Sequence, residues 1–362
     1  MNGREIYRNI MTFLIGRGWE KQTSTVKYDL FCPPAELNFS PTYKFYLYNQ
    51  YDRSHYEKDI LKEIDIIAQI YREDIDELVS ILIEGRQILT FHIEDEMIRN
   101  GRPSIPFFSN LISKSKDLLS EAANFTVLQK QHFFDKQEEA ERYLNHCNFF
   151  KNDVGSLITK IQLPNQEEIK QGTLFEKAIR GHQINEKLIE VTSFVNDQIL
   201  DKANFQPEDD FLLEHQNLIS INVTNSLKNL YHSIDYVDME VALKGITTQQ
   251  VAKARNLNKE KVTQLNTFSQ TVREKMKEIS NHEVYGKIVK LQSKNVEEDE
   301  NKVTIEGMIR NVKSNITVQL TSQQLQEATE AFKNNKQVMI KARLEKRKSQ
   351  YRVETLSRFQ VL

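Results

Sequence analysis

Three short runs near the end of the chain decide its reading: 283-EVYGKIVKL-291, 303-VTIEGMI-309 and 316-ITVQL-320. In the first, Val284, Gly286 and Ile288 fall on one side and Tyr285, Lys287 and Val289 on the other. The second repeats the pattern with Val303, Ile305, Gly307 and Ile309, and the third with Ile316, Val318 and Leu320. A period of two signals half-buried strands. The acidic, apolar-poor connector 295–301 reads as a solvated loop. Thr321 then carries a helix-start signal, a capping hydroxyl with Gln324 three positions on. Leu325, Ala328 and Phe332 follow at helical spacing, and Asn334 and Asn335 end that helix. Val338, Ile340, Ala342 and Leu344 alternate with Met339, Lys341, Arg343 and Glu345. A polar turn over 346–349 leads to Tyr351, Val353, Phe359 and Val361. The order β-β-β-α-β-β predicts a small open barrel or curled sheet, an OB-like module. Gly286 and Gly307 suit the sharp bends of such strands.

Charge is sorted along the chain. Residues 283–362 hold 15 Lys and Arg against 10 Asp and Glu, whereas the whole chain holds 49 against 51. The outward positions of the last hairpin predict a cationic ridge. Lys341, Arg343 and Arg352 stand on its strands, Lys346, Arg347 and Lys348 at its turn, and Tyr351 beside them. Clustered cations hold phosphate backbones, and exposed aromatics stack on bases. The alternative reading is that Lys and Arg on an edge strand only block edge-to-edge pairing.

Composition bounds the rest. At 362 residues the chain has room for two or three domains with cores of their own. The two cysteines, Cys32 and Cys147, stand far apart and without ligand-spaced neighbours, which points to a reducing cytosol rather than a disulfide framework. Charged residues begin at Arg4 and Glu5 and no long apolar run follows. Neither a signal peptide nor a membrane span is therefore expected. Abundant Asn, Lys and Ile are associated with AT-rich bacterial genomes.

Working back from the tail, three regions are expected. Residues 1–150 read as an α+β domain. Ile6, Ile10, Phe13 and Leu14 form the face of a first helix ended by Gly16 and Gly18. Val26, Tyr28 and Leu30 alternate in a strand, 43–48 form a second, and helices follow around Ile60–Tyr71, Ile75–Leu82 and Phe108–Ala122. Residues 151–282 read as a second α+β region, with a strand over 155–163, helix faces at Leu188–Ile199 and Leu227–Ile234, a strand over 238–243 and a charged helix over 259–280. Residues 283–362 are the basic module.

Chemistry has no visible owner. Thr248–Leu265 loosely fits a helix-turn-helix, with Ala252, Asn256 and Val262 at the small, turn and apolar positions and Val251, Leu257 and Leu265 as core. Arg255 departs from that pattern, and an ordinary connecting helix pair is the competing reading. Asp29 and Glu36 precede the strand 43–48, but the Glu-x-Lys of a restriction-type nuclease is missing. His92 with Glu94, Asp95 and Glu96 groups ligand-capable side chains; a solvated acidic turn explains them more cheaply. His146 and Cys147 are not a dyad, because a helix points neighbours apart. Phosphate-binding Gly-rich loops, nucleophile elbows and Cys-x-x-Cys are absent from the sequence. Neither catalytic nor metal-binding residues are assigned, and no cofactor is expected.

The Tyr28–Pro34 strand with its Pro pair, the Ala140–Leu144 helix before the 155–164 strand, and the 286–291 and 359–362 ends of the tail together resemble a family of uncharacterised soluble bacterial proteins. The resemblance covers most of the chain and carries no activity, cofactor or catalytic residue with it. Bacterial proteins of this kind sometimes accompany mobile-element or antiphage gene clusters. The resulting expectation is a non-enzymatic, cytoplasmic protein, not membrane-bound. It binds nucleic acid through the basic module and joins a protein complex, in antiviral defence or genome maintenance. The competing classes are a protein–protein scaffold without nucleic-acid contact and a divergent enzyme with a dispersed site.

Overall fold

The structure is a computed structural model describing residues 2–362 except 94–102, 135, 154–156, 173–177, 203–204, 280, 293–300, 310–311 and 348–349. It is mixed α+β and divides into two compact units, Met1–Ser269 and Gln270–Leu362. The first opens with α1 (Gly3–Gly16), whose start is fixed by a reciprocal capping pair between Asn2 and Glu5. Ile6, Ile10, Phe13 and Leu14 are all buried, as their spacing predicts, and the chain leaves the helix through Gly18 in the left-handed region. An antiparallel sheet follows, β1 (Glu20–Ser24), β2 (Tyr28–Cys32) and β3 (Phe45–Tyr48), then α2 (Tyr56–Tyr71) and α3 (Ile75–Leu82). Trp19, Phe31, Phe45 and Leu47 close one core with these helices.

The face of β2 differs from the expectation. Asp29 and Phe31 point inward, while Val26 is 88% exposed. A buried carboxylate is tolerable here because Tyr7 Oη donates to it, Lys21 Nζ lies 2.6 Å away and Asn49 Nδ2 donates at 3.2 Å. None of those partners is a sequence neighbour, so alternation alone chose the wrong face.

The rest of this unit comprises β4 (Gln87–Ile93), α4 (Ile105–Leu128), α5 (Glu138–Asn145), β5 (Asn148–Asp153), β6 (Leu157–Leu163), β7 (Glu168–Lys170), β8 (Ile179–Arg180) and α6 (Gly181–Val195). Then come a wide helical turn at Asn196–Leu200, α7 (Asp209–Glu214), α8 (Ile221–Ser233), β9 (Met239–Lys244), β10 (Gln249–Ala254) and α9 (Lys259–Ile279). Five strands pair antiparallel in the order β10-β9-β4-β6-β5. The expected boundary at 150 falls inside β5, and β4 pairs with β9, so 1–150 and 151–269 share one sheet. On one face Lys160 of β6 meets Glu77 of α3 at 2.6 Å, and Lys244 of β9 meets Glu73 at 3.1 Å. On the other, Asn185 of α6 donates to Gln87 Oε1 and to the Pro164 carbonyl, both at 2.7 Å, and accepts from Tyr143.

Both readings of 248–265, the helix-turn-helix and the ordinary connecting helix pair, are overturned. Gln249–Ala254 is not a helix but strand β10 on the sheet edge, and only Lys259 onward is helical. Ala252 and Ala254 are buried because they face the sheet core, not because a second helix needs small neighbours.

In the second unit are β11 (Asn281–Gln292), β12 (Asn301–Ile309), β13 (Val312–Leu320), α10 (Ser322–Lys333), β14 (Gln337–Arg347) and β15 (Gln350–Val361). The expected boundary at 282/283 lies inside β11, and the connector reading for 295–301 falls mostly outside the described residues. The strands pair in the order β11-β12-β13-β15-β14, and β14 returns to β11, so the sheet closes on itself. All pairings are antiparallel except β13 with β15. Val284, Ile288, Val303, Ile305, Ile316, Val318, Val338 and Ile340 fill the interior. Thr321 and Gln324 form the expected reciprocal cap of α10. That helix buries Leu325, Ala328 and Ala331, whereas Phe332, expected on the inner face, is 45% exposed.

Candidate nucleic-acid interface

The hairpin β14–β15 carries the cations singled out by sequence. Its register sets Arg343 opposite Thr355, Glu345 opposite Arg352, Lys346 opposite Tyr351 and Arg347 opposite Gln350. Lys348 lies outside the described residues, and so do the side chains of Arg343, Lys346, Arg347, Tyr351 and Arg352. Arg352 also pairs with Thr317 of β13. One register row therefore runs Lys290, Thr304, Thr317, Arg352, Glu345 across β11, β12, β13, β15 and β14. Lys290 in that row is exposed.

Lys341 is half-exposed, and its Nζ lies 3.2 Å from Glu283 Oε1 on the paired strand β11. Its charge is thus shared with a carboxylate 58 residues earlier in the chain. An exposed pair of this kind contributes little to stability and opens at little cost. Lys341 can turn to an incoming phosphate.

Other outward residues of this module were legible but not singled out. Tyr285 is 54% exposed and Met308 55% exposed, and Lys287, Lys290, Lys302 and Lys313 are exposed on β11 to β13. Lys313 holds Glu306 at 2.9 Å, and Lys287 stands opposite Glu306 in register. The signal was the outward half of the alternation whose inward half defined the strands.

The remaining candidates of the sequence are accounted for otherwise. Burial pushes the Asp29 carboxyl up, but hydrogen bonds from Lys21, Tyr7, Ser24 and Asn49 outweigh it and hold it down at about 2. That carboxylate is committed to its protein partners. His92 has partners of its own, and Glu94, Asp95 and Glu96 lie outside the described residues. His146 Nδ1 contacts the Arg142 carbonyl while Cys147 Sγ donates to the Tyr143 carbonyl, so the two diverge. Burial also pushes the Cys147 thiol up to about 12, which makes it inert as a nucleophile. Among the described residues no group of three or more His, Cys, Asp or Glu is placed to hold a metal ion. No helix among them is long and apolar enough to cross a membrane.

Comparison with protein-family models, with curated proteins and with solved structures gives no match to this chain.

Proposed function

We propose that the chain binds nucleic acid through its C-terminal module, that this module is an OB-like barrel, and that the protein acts without catalysis as one subunit of a cytosolic complex. The observation that carries the reading is the closed strand order β11-β12-β13-β15-β14, with α10 between β13 and β14. Barrels of OB type present oligonucleotides to the face of their second and third strands and to the loops between strands one and two and between four and five. In this chain those places are the outer face of β12 and β13, the connector 293–300 and the β14–β15 turn. Lys302 and Lys313 stand on the first, and Lys346 and Arg347 end β14 before the turn, with Lys348 next in sequence. The connector carries Glu297, Glu298, Asp299 and Glu300, which repel phosphate, so the hairpin side is the entrance for the backbone. Tyr285 adds an exposed ring on which a base can stack. Two free cysteines are in keeping with a reducing compartment.

Fluorescence anisotropy of labelled single-stranded DNA, single-stranded RNA and duplex tests this directly. With about four phosphate contacts on a single strand, the log of affinity falls with a slope of about −3 against log salt. Between about 50 and 200 mM salt that is a loss of about fifty-fold. Absence of binding at low salt removes the reading and leaves the protein–protein scaffold in its place.

A further inference from the structure

Six cations of the N-terminal unit, Arg4, Arg8, Lys27, Arg53, Lys58 and Lys62, line three cavities. The three cavities neighbour one another through shared residues. A cavity of about 210 Å³ beside α1 is lined by Arg4, Tyr7, Arg8 and Tyr51. It shares Arg4 and Tyr51 with a second cavity of about 540 Å³, which extends to Arg53. A third, of about 410 Å³, shares Arg53 and runs on to Lys27, Lys58 and Lys62. The local folding explains the gathering. Arg4 and Arg8 are one turn apart on α1, Lys58 and Lys62 one turn apart on α2, and Lys27 and Arg53 sit in the turns between strands and helix.

Tyrosine rings follow the same path. Tyr7 lies 5.2 Å from Tyr51, Tyr28 lies 5.6 Å from Tyr48, and Tyr46 meets Tyr28 edge-on at 6.2 Å. Tyr46 is 53% exposed. Four carboxylates also line these cavities, and two of them, Glu57 and Asp59, serve the first turn of α2. A third, Glu63, has its carboxyl raised by burial. The surplus of charge lining the cavities is therefore positive, in a part of the chain where acidic residues prevail.

From this we infer a second binding surface, on the N-terminal unit, for single-stranded nucleic acid. Clustered cations follow a phosphate backbone, and ring faces accept unpaired bases without regard to sequence. A duplex keeps its bases stacked and offers the tyrosines nothing. The inference extends nucleic-acid binding to a surface separate from the hairpin and stands without it.

The test uses the full-length chain. Arg4→Ala, Arg53→Ala and Lys62→Ala are combined, once in the natural sequence and once with Lys346→Glu, Arg347→Glu and Lys348→Glu. On single-stranded oligothymidylate the cavity substitutions make the salt slope shallower by about 2 in both backgrounds. Tyr28→Ala, which removes an exposed ring lining the third cavity, weakens binding about tenfold with no change of slope. Photo-crosslinking of a bromouridine-substituted strand to the unmodified protein gives adducts on peptides containing Tyr28, Tyr46 or Tyr51. Unchanged slopes with adducts confined to 281–361 overturn the second surface and leave the C-terminal reading intact. Loss on the cavity substitutions but none on the hairpin reversal does the opposite.

Discussion

Replacing Gly286 by Ala probes how tightly the C-terminal sheet closes. An ideal Cβ there would lie 2.3 Å from the Glu306 carbonyl oxygen and 2.8 Å from Ile305 Cγ2. The first contact is backbone, so β12 itself must move, in a sheet paired on both sides. Overpacking of a filled interior costs about 1–3 kcal/mol. Ala recovers about 0.4–1 kcal/mol by restricting the unfolded chain. A clash with backbone puts the cost at the upper end of that range, so the net expectation is a loss of about 2 kcal/mol. Gly307, directly opposite, differs in kind: its Cβ would meet the Val284 Cγ1 methyl at 2.6 Å and the Tyr285 carbonyl oxygen at 3.0 Å. A side chain yields more readily than a ladder, so Gly307→Ala should cost about 1 kcal/mol. For a unit of this size, 1 kcal/mol corresponds to about 4–8 °C in melting temperature. Calorimetry of 270–362 should therefore show Gly286→Ala melting lowest, about 8–16 °C below the parent, with Gly307→Ala between. Equal melting of all three, or the reverse order, would refute the close approach of β11 and β12.

Two further predictions concern the units separately. The fragment 270–362 should fold alone, with a dispersed amide spectrum, because its strands and α10 bury a core of their own; random-coil shifts would mean that the division inside α9 is misplaced. Asp29→Asn should lower the melting temperature of the N-terminal unit by a few degrees, since the amide leaves one acceptor oxygen for donors that shared two and Lys21 loses its counter-charge. The folded carboxyl sits below its unfolded value, so its stabilisation is present above about pH 4 and is lost as pH falls toward 2. The Asn variant should show a shallower acid-unfolding curve across that window, and an unchanged curve would contradict the assignment.

Local pattern made much of this fold legible. The buried face of α1, the inward positions of β11 to β14 and the cap of α10 all follow from spacing and side-chain chemistry within a dozen residues. What failed was non-local. Gln249–Ala254 resembled a helix start because alanines fit a helix pair as well as a sheet core, and only pairing with β9 decides between them. The boundary at 150 looked sound because β4 and its partner β9 lie about 150 residues apart in sequence. Phe332 looked inward because apolar spacing cannot tell which of two neighbours, Ala331 or Phe332, fits the space under α10. The candidate interface divides the same way. Its cations were visible as a cluster, but the ion pair of Lys341 with Glu283 needed the register of β14 on β11. The Tyr285 surface needed the recognition that a strand has two useful faces.

The central claim, that the hairpin grips phosphate, is tested most directly by reversing Lys346, Arg347 and Lys348 to Glu in the full chain and measuring affinity for duplex DNA across a salt series. Surface substitutions typically alter stability by only about 0.5 kcal/mol, and at a hairpin turn the fold should survive them. The account predicts much weaker binding and a salt slope reduced by about 0.9 for each phosphate contact removed. Equal affinity with an unchanged slope would contradict it and leave the protein–protein scaffold as the reading.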